Sequence, residues 1–251
     1  MASILYGPDG TQYKTYSEKR YPYGRKLELA DGRVFRFVRA GTTALIAGNL
    51  QQRAVPDAAF DELVVDVARA IGAALFSFTN GATAIALDDF AEGYVNVEDD
   101  AGEGRVYKLA DTEPAIAASV AGTFDLAPGV TIREAWTTAT TIGITRNRFS
   151  QALIKAATIV SSPLGVAVSD IPASEYGWIQ TRGLCSVLTD GTLLVGQLVV
   201  PSNGTAGAIE AADGVITEAA PPTGHGLLIP VGTCEELAAT TEFSLIHLIM
   251  E

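Results

Sequence analysis

The 251-residue chain has two cysteines, two histidines, two methionines and two tryptophans, and these scarcities remove several classes of chemistry. Cys185 and Cys234 lie 49 positions apart, without CxxC spacing or histidine neighbours. That excludes a zinc site and a thiol redox motif, and leaves buried free thiols in a reducing compartment as the expectation. The histidines form no HExxH and no pair at ligand spacing. His225 lies between Gly224 and Gly226, and His247 alternates out of phase with Ile246 and Leu248, so both are expected to be structural. The chain lacks a Gly-Lys-Ser/Thr phosphate loop, a GxGxxG strand–helix turn and a GxSxG elbow. The expectation is therefore no catalytic residue, no metal site and no cofactor.

No run of about 18 uncharged apolar residues is present, so no membrane span is expected. Residues 1–14 lack the charged-then-apolar pattern of a secretory signal. Without such a signal, the sequon Asn203-Gly204-Thr205 is read as a turn. Basic residues are also few, 17 against 29 acidic, for a net charge of −12. Phosphate affinity comes from Lys and Arg, so nucleic acid is not an expected partner.

The few cations are unevenly placed. Residues 1–53 hold nine basic and four acidic groups, and residues 54–251 hold eight basic and 25 acidic, a split of +5 against −17. Five of the eight tyrosines fall in the same N-terminal stretch, interleaved with Lys and Arg and broken by Gly7-Pro8, Asp9-Gly10 and Pro22. Tyrosine offers a large contact area at low entropic cost, and a polar tip. Residues 1–32 are accordingly expected to form an extended basic arm that straps onto an acidic partner. The candidate contact residues are Tyr6, Tyr13, Lys14, Tyr16, Lys19, Arg20, Tyr21, Tyr23, Arg25 and Lys26.

Beyond Asp31-Gly32 the pattern is of short strands cut by turns. Residues 33–39 alternate as a strand with both faces partly used. Short strands follow within 42–52, 74–79, 82–87, 94–98, 105–109, 124–126, 130–136, 140–145 and 153–160. Residues 57–71 fit either a helical stripe or a strand; the Val64-Val65 run and the strand-like flanks favour strand. Asn80-Gly81 is expected to turn a hairpin between 74–79 and 82–87. The acidic run Glu98, Asp99, Asp100 and Glu103 lacks EF-hand spacing and fits a hairpin loop better. Further strands are expected at 176–181, 183–188, 193–200, 207–209, 215–216, 226–229 and 243–249. Turn signals every 8–12 residues are the mark of an all-β sandwich or barrel. Trp136 and Trp178 lie in strands and are expected in cores or interfaces. The Ala44–Leu50 run is echoed by Leu193-Leu-Val-Gly-Gln-Leu198: an apolar stretch, a glycine, an amide, then leucine. The echo suggests a repeated strand–bulge–strand device. The division expected is an arm over 1–32, a β-rich domain over 33–155, and 156–251 as a second such domain or the second half of the first.

Three stretches carry a family resemblance. They are Asp31-Gly-Arg-Val-Phe-Arg-Phe-Val-Arg-Ala-Gly-Thr-Thr-Ala-Leu-Ile-Ala-Gly-Asn-Leu50, the segment from Ile71-Gly72 to Gly93-Tyr-Val-Asn-Val-Glu-Asp-Asp-Ala-Gly-Glu-Gly-Arg-Val-Tyr-Lys-Leu109, and Tyr176-Gly-Trp-Ile-Gln-Thr-Arg-Gly183 with Asp190-Gly-Thr-Leu-Leu-Val-Gly-Gln-Leu-Val-Val-Pro201. Across about residues 31–250 the chain resembles capsid decoration (cement, head auxiliary) proteins of tailed bacteriophages. The shared features are hairpin and bulge devices; the first 30 residues are not matched. The resemblance implies a β-rich virion protein, often a homotrimer, made in the host cytoplasm. Its place would be the capsid surface and its partner the major capsid protein. The competing readings are another virion component (tail, fibre or baseplate) and a β-sandwich carbohydrate-binding module or hydrolase with scattered carboxylates.

Overall fold

The computed structural model describes residues 4–212 and 229–251. The strand expected at 215–216, that at 226–229 except Ile229, and His225 lie outside the described residues. Within them the chain is all-β, as the alternation requires, with only two single-turn 3-10 segments, Thr11–Tyr13 and Ala58–Phe60. It divides into two compact units. The first joins Met1–Ala54 to Phe149–Glu251, and the second is Val55–Arg148, inserted between them. The expected boundary at 155/156 therefore falls inside the first unit. In that unit, strands on either side of the insertion pair with one another, and no single cut in the sequence could separate them.

In chain order, the first unit begins with β1 (Leu5–Tyr6), β2 (Lys26–Glu28), β3 (Val34–Arg39) and β4 (Leu50–Gln52). The inserted unit holds β5 (Leu63–Val64), β6 (Leu75–Thr79), β7 (Tyr94–Asp99), β8 (Val106–Lys108), β9 (Ala121–Asp125) and β10 (Thr141–Thr145). The first unit resumes with β11 (Leu153–Ile154), β12 (Pro163–Ala167), β13 (Tyr176–Leu188), β14 (Leu198–Pro201), β15 (Ile209–Ala211), β16 (Gly232–Glu236) and β17 (Phe243–Ile249). Its sheet runs β1-β2-β3-β13-β17-β16-β14-β15, with β12 also on β13, and β4 paired to β11 and β12. β4 and β11 are antiparallel neighbours, Gln52 beside Leu153, so the chain leaves for the insertion and returns from it on paired strands.

The segment expected as a free arm is part of the first unit. Leu27 and Leu29 are buried with Phe35, Phe37 and Trp178. Lys26 and Glu28 alternate with them on β2, which pairs with β3 through the Asp31-Gly32 turn. Leu29 and Arg33 close that loop, and Gly32 takes the left-handed φ of 84° that a three-residue hairpin loop requires. Two other expectations change. Residues 176–181 and 183–188 form one strand, β13, with a register shift between Gln180 and Arg182. Residues 82–87 and 130–136 are not strands; their bridges, Ile85 to Ile116 and Trp136 to Arg69, join them to other non-strand chain.

Much of this non-strand chain follows one repeated device. A buried residue precedes a four-residue turn whose third member is left-handed, and a strand often follows. Leu45 precedes 46–49, where the Asn49 amide donates to the Ile46 carbonyl over Gly48 at φ 78°. Leu193 precedes 194–197, where Gln197 donates to Leu194 over Gly196 at φ 80°. A positive φ at the third position defines a type II turn and favours glycine. Ser174 and Asp88 hold equivalent positions in 172–175 and 86–89. The sequence echo is therefore real, but its glycines lie in turns ahead of β4 and β14 and not in bulges. Copies of the device also meet in pairs: Leu45 and Ile171 exchange both amide bonds, as do Ile85 and Ile116.

The inserted unit has its own core. Phe76, Phe78, Phe90, Phe124, Trp136 and Tyr107 pack edge-to-face or tilted, with ring centroids 5.1–6.2 Å apart. The acidic loop of residues 99–104 joins antiparallel β7 and β8, as expected. The aliphatic core of the first unit includes both cysteines, which are free and buried. Both lie level with Ile246, one on each side of β17. Two strand spacings, about 9.6 Å, put them beyond disulfide reach. Burial pushes the Cys185 thiol up to about 12. Neither thiol should react with Ellman's reagent in the native protein near pH 8, and both should react in denaturant. Rapid native labelling would contradict this packing.

Candidate functional site

The ten positions singled out on the N-terminal segment do not form one uniform surface. Its backbone is tied down at Tyr16, which exchanges amide bonds of 2.8 and 2.9 Å with Tyr176 at the start of β13. Tyr16 and Tyr21 are then half-buried in an aromatic cluster. The Tyr21 ring lies 5.2 Å from Phe37 and 5.4 Å from Trp178, and Tyr16 lies 6.1 Å from Phe37. Tyr23 is buried and stacks on Tyr176 at 6.3 Å, under the Lys19 ammonium 4.4 Å from its ring centre. Burial, reinforced by Tyr176, pushes the Tyr23 phenol well above its ordinary range, so it stays neutral and hydrogen-bonding. Burial and then Tyr21 shift Tyr16 in the same direction. These tyrosines hold the segment to its own sheet, correcting the expectation that they face a partner.

Tyr6, Tyr13, Lys14 and Arg20 remain outward; Tyr6 is 72% exposed and Tyr13 51%. Lys19, Arg25 and Lys26 are half-buried, and Lys26 pairs with Glu28 at 3.2 Å. Arg20 lies 3.8 Å from Glu18, an exposed pair of little energetic weight. Nearby cations are committed internally. Arg33 bonds Asp31 at 2.6 Å, and Arg36 bonds Glu251 and the Gly24 carbonyl. Of the ten positions, only two tyrosines and two cations thus stay outward, and one of those cations, Arg20, sits beside Glu18. The signal for the correction was present, since Leu27 and Leu29 alternate with charged residues immediately before Asp31-Gly32.

In the inserted unit, two buried carboxylates differ sharply. Asp89 receives two bonds from Arg146, at 2.9 and 2.5 Å, and that guanidinium lies over the Phe60 and Phe90 rings. Glu113 is 2% exposed, and no side chain bonds its carboxylate; only the backbone amides of Asp125 and Ala110 approach it, off good hydrogen-bond geometry. Its amide donates to the Asp88 carboxylate at 2.9 Å. Burial pushes the Glu113 carboxyl up to about 8; the backbone amides of Asp125 and Ala110 pull it down, and the Asp125 and Asp88 charges push it up. Among the described residues no three His, Cys, Asp or Glu side chains are placed to hold a metal ion. None of the described helices is long and apolar enough to cross a membrane. No family model matches the chain, and neither a curated protein nor a solved structure does.

Proposed function

We propose that this chain is a virion structural protein that decorates and stabilises a phage capsid by binding the lattice of its major capsid protein. The observation that carries the reading is the outward placement of Tyr6, Tyr13, Lys14 and Arg20 along a segment tied down by the β2–β3 hairpin and the Tyr16–Tyr176 pair. A contact surface ordered in advance loses little entropy on docking. Its tyrosines supply area, and its cations suit an acidic shell, while the acidic remainder of the chain opposes non-specific association. Repetition on a lattice would add avidity. The family resemblance over about residues 31–250 points the same way.

Deleting the whole segment would remove Leu27 and Leu29 from the core, so point substitutions are the proper test. Tyr6→Ala, Tyr13→Ala, Lys14→Glu and Arg20→Glu combined should lower occupancy on purified heads by about tenfold or more, with the melting temperature unchanged. About 1.4 kcal/mol, a modest loss for four contacts, is enough for that change. Unchanged occupancy would remove these residues from the interface. Only a few copies per particle would favour a tail, fibre or baseplate role.

A further inference from the structure

We infer that the outer face of β13–β17–β16–β14 binds the same face of a second copy of this chain. A solvated sheet face normally shows polar residues at the outward positions. Here the inward positions Cys185, Val187, Ile246, Leu248 and Cys234 form a core, and the outward ones set apolar Leu184, Leu198, Phe243, Leu245 and Ile249 among polar Ser186, His247 and Thr233. Leu184 stands level with His247, His247 with Thr233, and Thr233 with Leu198, giving one row across four strands. Ile249 lies one row above and Leu245 one row below, with Phe243 beyond it. Leu184, Leu198, Phe243 and Ile249 are each 45–49% exposed.

Area and charge both select a second copy. Leu184, Leu198, Phe243 and Ile249, each about half exposed, make an apolar area within the ~300–600 Å² range of the largest patch on a monomer. A standard interface of about 800 Å² per partner, some 60% apolar, needs about that much. The charged rim is complementary to itself. Arg182 flanks Ile249 on the β13 side, and Glu236 flanks Leu245 on the β16 side, at the diagonally opposite corner. Both are exposed. Two such faces crossed at a steep angle, one of the common sheet-packing geometries, set each Arg182 over the other copy's Glu236. A face that complements itself gives an isologous, two-fold pair. The trimer implied by the family resemblance would need a different contact. This inference does not depend on the capsid reading, because it concerns the purified chain alone.

The test is sedimentation of the full chain at about 100 µM, where a pair with a micromolar dissociation constant is saturated. The expected mass is twice the 26.2 kDa of one chain. Leu184→Asp should give monomers, while Val106→Asp on β8 should leave the pair intact. Arg182→Glu and Glu236→Arg should each weaken pairing about tenfold, and the two together should restore it to within about threefold. The reversal pair keeps the test decisive if Leu184→Asp fails to fold. A monomeric wild type, a trimer, or a dimer indifferent to Leu184→Asp or to the single reversals would overturn the inference.

Discussion

Glu113→Gln is expected to raise the stability of the Val55–Arg148 unit at pH 8 and to flatten its dependence on pH. In the folded unit the Glu113 carboxyl is pushed up to about 8 from an ordinary 4.5. Below pH 4.5 the side chain is protonated in both folded and unfolded chains, and its contribution to stability is fully present. Between the two values the unfolded chain releases the proton while the folded one holds it. Stability therefore falls as pH rises through this window, and the loss is complete above the folded value. Each pH step of one across the window costs at most about 1.4 kcal/mol, a ceiling that relaxation of the protein lowers, so the whole loss is of the order of 2–4 kcal/mol. Gln keeps the shape and carries no charge. Its melting temperature at pH 8 should exceed the wild type's by about 10 °C, and the difference should nearly vanish at pH 4.5. Equal slopes for the two proteins would show that Glu113 ionises in the folded state much as it does in water.

Gly81→Ala should have an effect of comparable size and opposite sign. An added Cβ would sit 1.8 Å from the Ala59 carbonyl oxygen, so the backbone of the Ala58–Phe60 turn must move, and with it the buried Phe60 ring. A loss of about 3 kcal/mol or more is expected for such a backbone collision beside a core aromatic. Each unit has one tryptophan, Trp136 in the insertion and Trp178 in the first unit, so fluorescence of a Trp136→Phe background reports the first unit alone. In that background Gly81→Ala should leave the Trp178 transition in place. With Trp136 retained, the inserted unit should unfold at a much lower denaturant concentration. Loss of both transitions together would contradict separate cores.

Legibility in the sequence followed how local the determining physics was. β3, β7, β8, β10 and β17 were readable because alternation, a local property, fixed them. The acidic 99–104 hairpin followed from its two flanking strands. Both tryptophans lie in cores, Trp178 on β13 but Trp136 outside any strand. Asn80-Gly81 misled because its pairing is not local. β6 pairs with β9, some forty residues on, and the Asn80 side chain caps the carbonyls of Thr83 and Ala117. Residues 57–71 contain no α-helix. They hold a 3-10 turn, the short β5 and bridges at Val65 and Arg69, nearer the strand option than the helical one. The insertion itself was invisible because pairing of β4 with β11 and β12 across about a hundred residues leaves no periodic trace. At the candidate site, tyrosines and cations marked the right segment. Composition alone could not tell a tyrosine that stacks on Phe37 and Trp178 from one that faces outward.

The proposal that this protein acts by adhesion to a capsid shell is tested most directly by an image of phage particles made with this chain. Cryo-electron microscopy of intact heads should show hundreds of copies on the outer surface, with Tyr6, Tyr13, Lys14 and Arg20 against the shell. Bare heads, with the chain missing from the particle or confined to a few copies at the tail, would contradict it.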